Sequence, residues 1–335
     1  MGRYSGFAGK LKRLAELKLV YPRGVYPISG KGHRWKMQTK IFLTGAYGQV
    51  GWELNRALLP YGVVRACDKD TLDLLDEDAV RKVVREFKPS VIVNTAAYTA
   101  VDKAENDRDL CRKLNVRVPE ILAQEAEKLG AWMVHYSTDY VFNGKNGRPW
   151  REDDEPDPVN FYGLTKLEGD RAVAENASKH LIFRTSWVYA SRGSNFLLTM
   201  LRLFAEKKEL RIVNDQIGAP TWARYIAQST VMALRSAIEA DEAGLSGVYN
   251  LVASGSVTWY DFACAIKEYA GGSQQFPELN LIPIPSAEYP TPAARPEWSV
   301  LSLEKIERVF GVHTAPWLDA MKLCLDEVKE KTCPK

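Results

Sequence analysis

Short apolar runs alternate with amphipathic segments from Lys40 onward, and this alternation limits the possible folds more than any other feature. The apolar runs are KIFLTG, VVRAC, SVIVN, AWMVHYS and LIFRTS, and helical patterns separate them at 49–59, 76–87, 103–129 and 162–175. A strand that is apolar at every position is buried on both faces, which is typical of a parallel sheet covered by helices on each side. The sequence therefore predicts a doubly wound α/β fold.

The pattern loosens after residue 190. Helices are predicted at 194–207, 222–238, 258–270, 302–310 and 316–331, between short strands such as LRIVN, GVYNLVA and LNLIPI. We predict a dinucleotide-binding domain over 40–190 and a smaller, mixed α/β domain over 191–332 that mainly binds substrate. The pattern leaves open whether elements of the second segment return to the first sheet.

Residues 1–39 differ from the rest of the chain in charge. They carry nine Lys or Arg and one acidic residue, so subtracting their +8 from the net +3 leaves about −5 for 40–335. A mildly acidic body argues against a nucleic-acid partner. The extension has too little apolar surface for a core and is predicted to be a mobile arm. Three interpretations of the extension are open: a basic arm that binds an acidic partner, a targeting segment, or a mis-assigned start with Met37 as the true initiator. We favour the last.

Cysteine and histidine spacing indicates neither a disulfide framework nor a metal site. Five cysteines are scattered without a CxxC pair, and the four histidines lie far apart. Scattered thiols are typical of the reducing cytoplasm. The sequence has neither the long apolar run of a transmembrane helix nor a secretory signal pattern. We therefore expect a cytoplasmic protein without a membrane partner.

The first predicted strand leads directly into a glycine-rich turn, TGAYGQVG. Gly45, Gly48 and Gly51 let the chain turn tightly and approach a pyrophosphate at the start of the next helix. Asp68 ends the second predicted strand about twenty residues later, as the dinucleotide-binding pattern requires. A glycine-rich turn without a ligand is the alternative, but the strand before it and the helix after it favour dinucleotide binding.

Asp68 also bears on the choice between NADH and NADPH. A carboxylate there accepts hydrogen bonds from the adenine ribose and repels a 2′-phosphate, whereas Lys69 and Arg65 beside it weaken that repulsion. NADH is therefore favoured, and use of NADPH stays open. Further cofactor contacts are predicted at Asp73, Leu74, Ala96 and Ala97.

Tyr162 and Lys166 are one helical turn apart, so their side chains share a face of the predicted helix. A free phenol has a pKa of about 10, and a neighbouring ammonium is expected to lower it toward neutral pH. Thr138 follows the fourth predicted strand, at the edge of the sheet where ligands bind. The three residues predict carbonyl reduction, with Tyr162 as proton donor, although YxxxK alone also fits a solvated helix face.

These residues fall within a larger set of motifs that closely resembles the dTDP-4-dehydrorhamnose reductases, a group of extended short-chain dehydrogenases/reductases. The motifs are TGAYGQVGWEL, NTAAYTAVDKAE, HYSTDYVFNG, NFYGLTKLEGD, LIFRTSWVYA, NDQIGAPT and RPEWSVL. The resemblance extends over about 40–328. It implies NAD(P)H-dependent reduction of the C4 keto group of dTDP-4-dehydro-β-L-rhamnose to dTDP-β-L-rhamnose.

The resemblance also implies roles for individual residues. Thr138, Tyr162 and Lys166 are the implied catalytic trio. The implied cofactor contacts are Gly48, Gln49, Val50, Asp68, Asp73, Leu74, Ala97, Tyr98, Thr99 and Tyr136. The implied substrate contacts are Thr138, Asp139 and Trp187.

Chemistry supports Trp187 as a substrate contact and adds Arg295. The indole face of Trp187 suits the C–H face of a sugar ring, with a core tryptophan as the alternative. Arg295, in AARPEW, is predicted to reach the diphosphate of the substrate, with a surface arginine as the alternative.

Two other functions fit the same scaffold. A 4,6-dehydratase or epimerase needs further acid–base residues, and Tyr140 stands where water-eliminating relatives carry a Glu. A non-catalytic regulatory subunit is disfavoured because the chain keeps the glycine turn and the catalytic trio.

Some members of the family bridge a dimer through a magnesium ion held by glutamates. Glu53 matches one such position, but Arg224 stands where another acidic residue is expected. Because a guanidinium is incompatible with a cation site, we predict no structural metal and leave a homodimer open.

Overall fold

The computed structural model describes residues 39–240 and 243–332, so the arm predicted over 1–39 lies almost wholly outside the described residues. The strands are β1 (Lys40–Thr44), β2 (Val63–Cys67), β3 (Val91–Asn94), β4 (Trp132–Thr138), β5 (His180–Thr185), β6 (Val188–Tyr189), β7 (Glu209–Val213), β8 (Ile217–Gly218), β9 (Thr221–Trp222), β10 (Gly247–Asn250), β11 (Val257–Thr258) and β12 (Asn280–Ile284). The α-helices are α1 (Gln49–Ala57), α2 (Glu77–Phe87), α3 (Val101–Ala104), α4 (Arg108–Arg112), α5 (Val118–Leu129), α6 (Phe161–Asn176), α7 (Phe196–Glu206), α8 (Ala223–Ala240), α9 (Trp259–Ala270), α10 (Gly272–Gln275), α11 (Glu304–Phe310) and α12 (Trp317–Thr332).

The central sheet has six strands in the order β10-β5-β4-β3-β1-β2, and every neighbouring pair is parallel. β1 pairs with β2 on one side and with β3 on the other, so the strand order reverses at β1. Ligands of doubly wound sheets bind beyond the carboxyl ends of the strands at such a reversal. The predicted doubly wound α/β fold is confirmed.

Successive residues of the central strands face opposite helix layers. Ile41 and Leu43 of β1 pack in one hydrophobic cluster with Ile226 of α8. Phe42 between them packs in a second cluster with Val80 of α2. This alternation places helices on both faces of the sheet, as the apolar strands predict. Across 39–240 and 243–332, no helix is long and apolar enough to cross a membrane.

The helix predicted over 103–129 is divided in the structure. α3 and α4 are followed by a π-helical turn at Lys113–Arg117 and then by α5. Pro119 has no N–H to donate to the carbonyl of Asn115, so a regular α-helical ladder cannot pass this point. The turn directs the Asn115 side chain inward, where its Nδ2 lies 3.1 Å from Thr165 Oγ1 on α6.

A smaller lobe follows β5 along the chain. α7, α9 and α12 share a hydrophobic cluster that includes Leu197, Phe262 and Met321, and β7 pairs with β12 beside it. Two segments after residue 190 belong to the large sheet instead, because β10 pairs with β5 and α8 covers one face. The boundary at residue 190 stays a prediction.

Glu125 of α5 joins two helices on one face of the sheet. Its buried carboxylate accepts hydrogen bonds from Arg81 (2.8 Å) and Arg85 (2.7 Å) of α2 and from Lys128 (3.0 Å). The hydrogen bonds from these cations, chiefly from Arg85, lower the pKa of Glu125 to about 2. Its contribution to stability is therefore complete above its ordinary pKa and is lost as the pH falls toward the folded value.

Glu125→Gln is expected to lower the free energy of unfolding at neutral pH by about 2 kcal/mol, because charge-assisted hydrogen bonds are lost. Urea unfolding at several pH values measures this, and the difference from the native chain should shrink as the pH falls toward 2. Glu206→Gln is the control, since its pair with Arg202 is exposed and contributes little. Equal effects of the two substitutions would contradict the prediction.

Candidate active site

A crevice of about 810 Å³ opens beyond the carboxyl ends of β1 to β5. Residues at these strand ends line it, together with one face of α6. Of the predicted cofactor residues, the following line the crevice: Gly45, Gly48, Gln49, Val50, Gly51, Asp68, Asp73, Leu74, Ala96, Ala97, Thr99, Tyr136, Tyr162 and Lys166. The structure therefore brings together residues from widely separated parts of the chain.

The glycine turn has no room for side chains. Gly45 has a φ of +71°, in the left-handed region, and a Cβ there would lie 2.7 Å from Thr95 Oγ1. A Cβ on Gly51 would lie 2.1 Å from the Gly45 carbonyl oxygen. Gly48 precedes α1, and no side chain caps the first turn of that helix. The backbone N–H groups of α1 are thus open to an anionic ligand in the crevice.

Asp68 lies at the end of β2 with its two carboxylate oxygens in different roles. Oδ1 accepts hydrogen bonds from the backbone N–H groups of Asp70 (3.0 Å) and Thr71 (3.2 Å) and from the Thr71 hydroxyl (3.0 Å). Oδ2 is buried and has no hydrogen-bond partner within the described part of the chain. A buried oxygen without a partner beside a crevice fits a ligand hydroxyl, so the site fits an adenine dinucleotide.

The two basic neighbours of Asp68 differ in position. Lys69 lines the crevice and is exposed. Arg65 points elsewhere, with its guanidinium 5.8 Å from the centre of the Phe87 ring. Lys69 is therefore the cation that can reach a ligand bound beside Asp68.

Helix α6, which carries Tyr162 and Lys166, packs closely against the backbone of two neighbouring segments. The Asn160 side chain caps its first turn by accepting a hydrogen bond from Gly163 N at 2.8 Å. A Cβ on Gly163 would lie 2.1 Å from the Tyr140 carbonyl oxygen, and one on Gly169 would lie 2.0 Å from the Asn115 carbonyl oxygen. Only glycine at both positions allows this approach.

Tyr162 lines the crevice and its phenol is near Thr138. Burial raises the pKa of Tyr162 well above its ordinary value, and Thr138 opposes that shift only in part. The expectation that Lys166 brings this pKa down toward neutral pH is therefore wrong for this structure. Burial removes the solvent that would stabilise a phenolate, and the ammonium is directed at other partners.

Those partners lie on β4. Lys166 Nζ donates to the Tyr136 carbonyl oxygen at 2.5 Å and lies 3.3 Å from His135 Nε2. Burial lowers the pKa of Lys166 to about 8, while Asp170 opposes the shift. Lys166 is thus a group that can change its protonation state near neutral pH.

Asp139 follows Thr138 and is hydrogen-bonded to it. Its Oδ1 accepts from Thr138 Oγ1 at 3.0 Å. Burial raises the pKa of Asp139 to about 7, although Ser299 and Thr138 stabilise the carboxylate and oppose the shift. Its Oδ2 is buried without a partner among the described residues.

Five predicted ligand contacts lie outside the crevice lining: Thr138 and Asp139, described above, and Tyr98, Trp187 and Arg295. Trp187 has a φ of +45°, and its ring stacks on Trp259 at 3.5 Å between centroids. The Tyr98 hydroxyl donates to Asp107 at 2.6 Å, which raises the pKa of Tyr98 to about 12.

Arg295 also lies outside the crevice lining. Its Nη2 lies 2.8 Å from Asp102 Oδ2 on α3, so a carboxylate already neutralises the guanidinium that was predicted to reach the substrate's diphosphate. The contact also lowers the pKa of Asp102.

Ser137 and Thr185 are among the hydroxyl groups of the crevice that sequence reasoning missed. Thr185 Oγ1 is buried without a partner in the described ranges. Both residues lie at the carboxyl ends of central strands. The strand-end argument that identified Thr138 applies equally to them.

Arg224, which stands where an acidic residue was expected for a metal site, pairs with two glutamates. Its Nε donates to Glu53 Oε2 at 3.0 Å, and its Nη1 donates to Glu327 on α12. The guanidinium thus forms an ion pair with each carboxylate. Within 39–240 and 243–332, no group of three or more metal-ligating side chains is present.

A doubly wound parallel sheet, a glycine turn and a buried Tyr162–Lys166 pair beside Thr138 define an extended short-chain dehydrogenase/reductase. The model of the RmlD substrate binding domain family matches residues 39–330. The chain is 46% identical over 293 residues to the dTDP-4-dehydrorhamnose reductase of Escherichia coli K12, covering 86% of this chain and 97% of the relative. The chain belongs to the dTDP-4-dehydrorhamnose reductase family, which confirms the resemblance found in its motifs.

Two crystal structures extend the comparison. A dTDP-4-dehydrorhamnose reductase from Clostridium acetobutylicum matches with a TM-score of 0.81 and 37% identity, covering 87% of this chain and all of the other. The dTDP-4-dehydrorhamnose reductase of Bacillus anthracis, solved in complex with NADP, matches with a TM-score of 0.79 and 35% identity over the same shares.

Gly51→Ala is expected to weaken NADH binding at least about tenfold, because the new Cβ would collide with the Gly45 carbonyl and open the turn. Titration of NADH fluorescence measures the affinity, and circular dichroism checks that the chain is folded. Gly147→Ala is the matched control, since a Cβ there meets nothing within 4 Å. Unchanged affinity in a folded Gly51→Ala variant would rule out the turn as the pyrophosphate site.

Proposed function

We propose that the protein reduces the C4 keto group of dTDP-4-dehydro-β-L-rhamnose to dTDP-β-L-rhamnose with a nicotinamide cofactor. The observation that carries the proposal is the Thr138–Tyr162–Lys166 group beside the glycine turn, at the strand ends where ligands of this fold bind. The names of the relatives and the NADP in the Bacillus anthracis structure support it.

In the proposed reaction, Tyr162 donates its phenolic proton to the C4 oxygen. The bound cofactor supplies the hydride that reaches C4. Thr138 donates to Asp139 Oδ1 in the free enzyme, and its hydroxyl beside Tyr162 opposes the rise in the pKa of Tyr162 that burial causes. Because burial makes a phenolate costly, Tyr162 must be reprotonated promptly, and Lys166 is the proton donor on the same face of α6.

The surroundings of Asp139 do not suit water elimination. Tyr140 follows Thr138 and Asp139, and its ring packs edge-on against Tyr162 at 5.8 Å between centroids. Burial raises the pKa of Tyr140 far above neutral. A neutral phenol there cannot act as the second carboxyl group of a dehydratase, so reduction is the favoured chemistry.

NADH is the favoured cofactor in this proposal. Asp68 Oδ2, which has no partner among the described residues, would accept from a ribose hydroxyl, whereas a 2′-phosphate there would bring its charge against the carboxylate. Lys69 beside it reduces that repulsion, so NADPH is also accepted.

Tyr162→Phe keeps the ring and removes the acid, so turnover should fall by roughly 10²-fold or more. NADH consumption with the 4-keto sugar nucleotide measures turnover, and fluorescence titration should show NADH binding unchanged. Tyr47→Phe, at an exposed tyrosine that also lines the crevice, is the control. Near-native turnover in Tyr162→Phe would show that another group donates the proton.

Asp68→Ala should weaken NADH and improve the relative use of NADPH, because the carboxylate that accepts from the ribose hydroxyls is lost. The ratio of kcat/KM for the two cofactors measures the change. Asp70→Ala removes an exposed carboxylate two residues away and should leave the ratio unchanged. A strong preference of the native enzyme for NADPH would contradict the placement of Asp68.

A further inference from the structure

We propose that His135 is a positioning residue that presents an N–H group, rather than a lone pair, to Lys166 and thereby makes this lysine a proton donor instead of a permanent ammonium. Asn94 holds His135 in the tautomer that this role requires. The significance for catalysis rests on the proposed function, whereas the tautomer itself does not.

The first step concerns the side-chain amide of Asn94, which is buried at the carboxyl end of β3. Its Oδ1 lies 3.2 Å from the backbone N–H of Ala96 and 2.6 Å from Thr44 Oγ1. A backbone N–H can only donate, so the amide oxygen must face it. The amide Nδ2 then faces His135 Nδ1, at 3.2 Å.

The second step concerns His135, which is 1% exposed on β4. An amide NH₂ can only donate, so His135 Nδ1 must carry a lone pair. Burial, followed by the nearby Lys166 charge, holds the pKa of His135 well below its ordinary value, so the ring is neutral. A neutral imidazole has one proton, and here it must be on Nε2.

The third step concerns the contact between His135 Nε2 and Lys166 Nζ, 3.3 Å apart. An ammonium has no lone pair, so Nε2–H and an ammonium would meet as two donors. A neutral amine can accept from Nε2–H and still donate to the Tyr136 carbonyl. His135 therefore favours the state of Lys166 that has released a proton.

Other groups around the pair act in the opposite direction. Asp170 Oδ1 lies 4.0 Å from His135 Nε2, and the carboxylate of Asp170 favours the ammonium of Lys166. Ser137 donates to Asp170 Oδ2 at 2.6 Å, and Arg184 Nε lies 3.7 Å from that oxygen, so part of the carboxylate's charge is compensated. Cys111 also favours the ammonium of Lys166, and Tyr162 lies one helical turn before Lys166 on α6.

The two protonation states of Lys166 are therefore close in free energy. After Tyr162 has given its proton to the substrate, the ammonium can release one proton toward the phenolate and remain as an amine that accepts from His135. It then regains a proton from solvent. His135 keeps its own proton throughout, so it positions and tunes Lys166 without carrying the proton.

The tautomer is measured directly by ¹⁵N NMR on the full chain labelled with ¹⁵N-histidine, without ligands. The His135 signals are assigned by their loss in His135→Gln. We expect a neutral ring with its proton on Nε2 from about pH 6 to about pH 9. A proton on Nδ1, or an imidazolium in this range, would overturn the proposal whatever the enzyme's activity.

Asn94→Asp is an isosteric substitution that is expected to reverse the tautomer of His135. One carboxylate oxygen keeps the contacts with Ala96 and Thr44, and the other now requires a donor from His135 Nδ1. We expect the NMR signals to shift to the Nδ1–H tautomer, so that Nε2 accepts from a Lys166 ammonium. The basic limb of the kcat–pH profile should then move upward by about one pH unit or more.

The added charge of Asn94→Asp must be separated from its effect on the tautomer. His135→Leu and the double variant Asn94→Asp/His135→Leu do so, because the double variant keeps the charge and removes the imidazole. We expect Asn94→Asp to move the basic limb far less in the His135→Leu background. An equal shift in both backgrounds would attribute the effect to charge alone and overturn the role of His135.

Discussion

The active site depends on the close packing of α6 against two backbone carbonyl groups. Gly163 and Gly169 allow this approach to the carbonyls of Tyr140 and Asn115, and a methyl group at either position would separate the segments. Tyr162 and Lys166 lie on the same helix, so the packing fixes both relative to the ends of the central strands. A helix pressed against backbone has little freedom to shift, which gives the reacting groups a defined position before any ligand binds.

Burial then determines the acid–base properties of the site. It raises the pKa values of Tyr162 and Asp139 and lowers that of Lys166, because each charged form loses solvent. The carboxyl ends of parallel strands concentrate polar side chains in a region that the helix layers otherwise keep dry. Asn94 at the end of β3 and His135 within β4 add fixed hydrogen-bonding directions there. The same architecture that creates the crevice thus tunes its groups.

Much of this arrangement could be predicted from the sequence because its causes are local. Apolar periodicity specifies the strands and helices, and the glycine spacing specifies the turn. The features that could not be predicted join segments distant in sequence. Arg295 and Asp102 are 193 positions apart, and no local pattern reveals that they pair. The raised pKa of Tyr162 likewise depends on what packs against this residue, so a residue pattern indicates the groups present but not their surroundings.

The ion pairs of Arg224 have a consequence for the folding of the protein during synthesis. Glu53, on the helix that follows the glycine turn, is buried and pairs with Arg224, 171 positions later, which in turn pairs with Glu327 of the last helix. During synthesis, the amino-terminal half emerges from the ribosome with this carboxylate still lacking its partner. Glu53 therefore lacks its ion-pair partner until Arg224 has been made, and Arg224 lacks Glu327 until nearly the whole chain has been made. Such long-range closure is typical of slow folding.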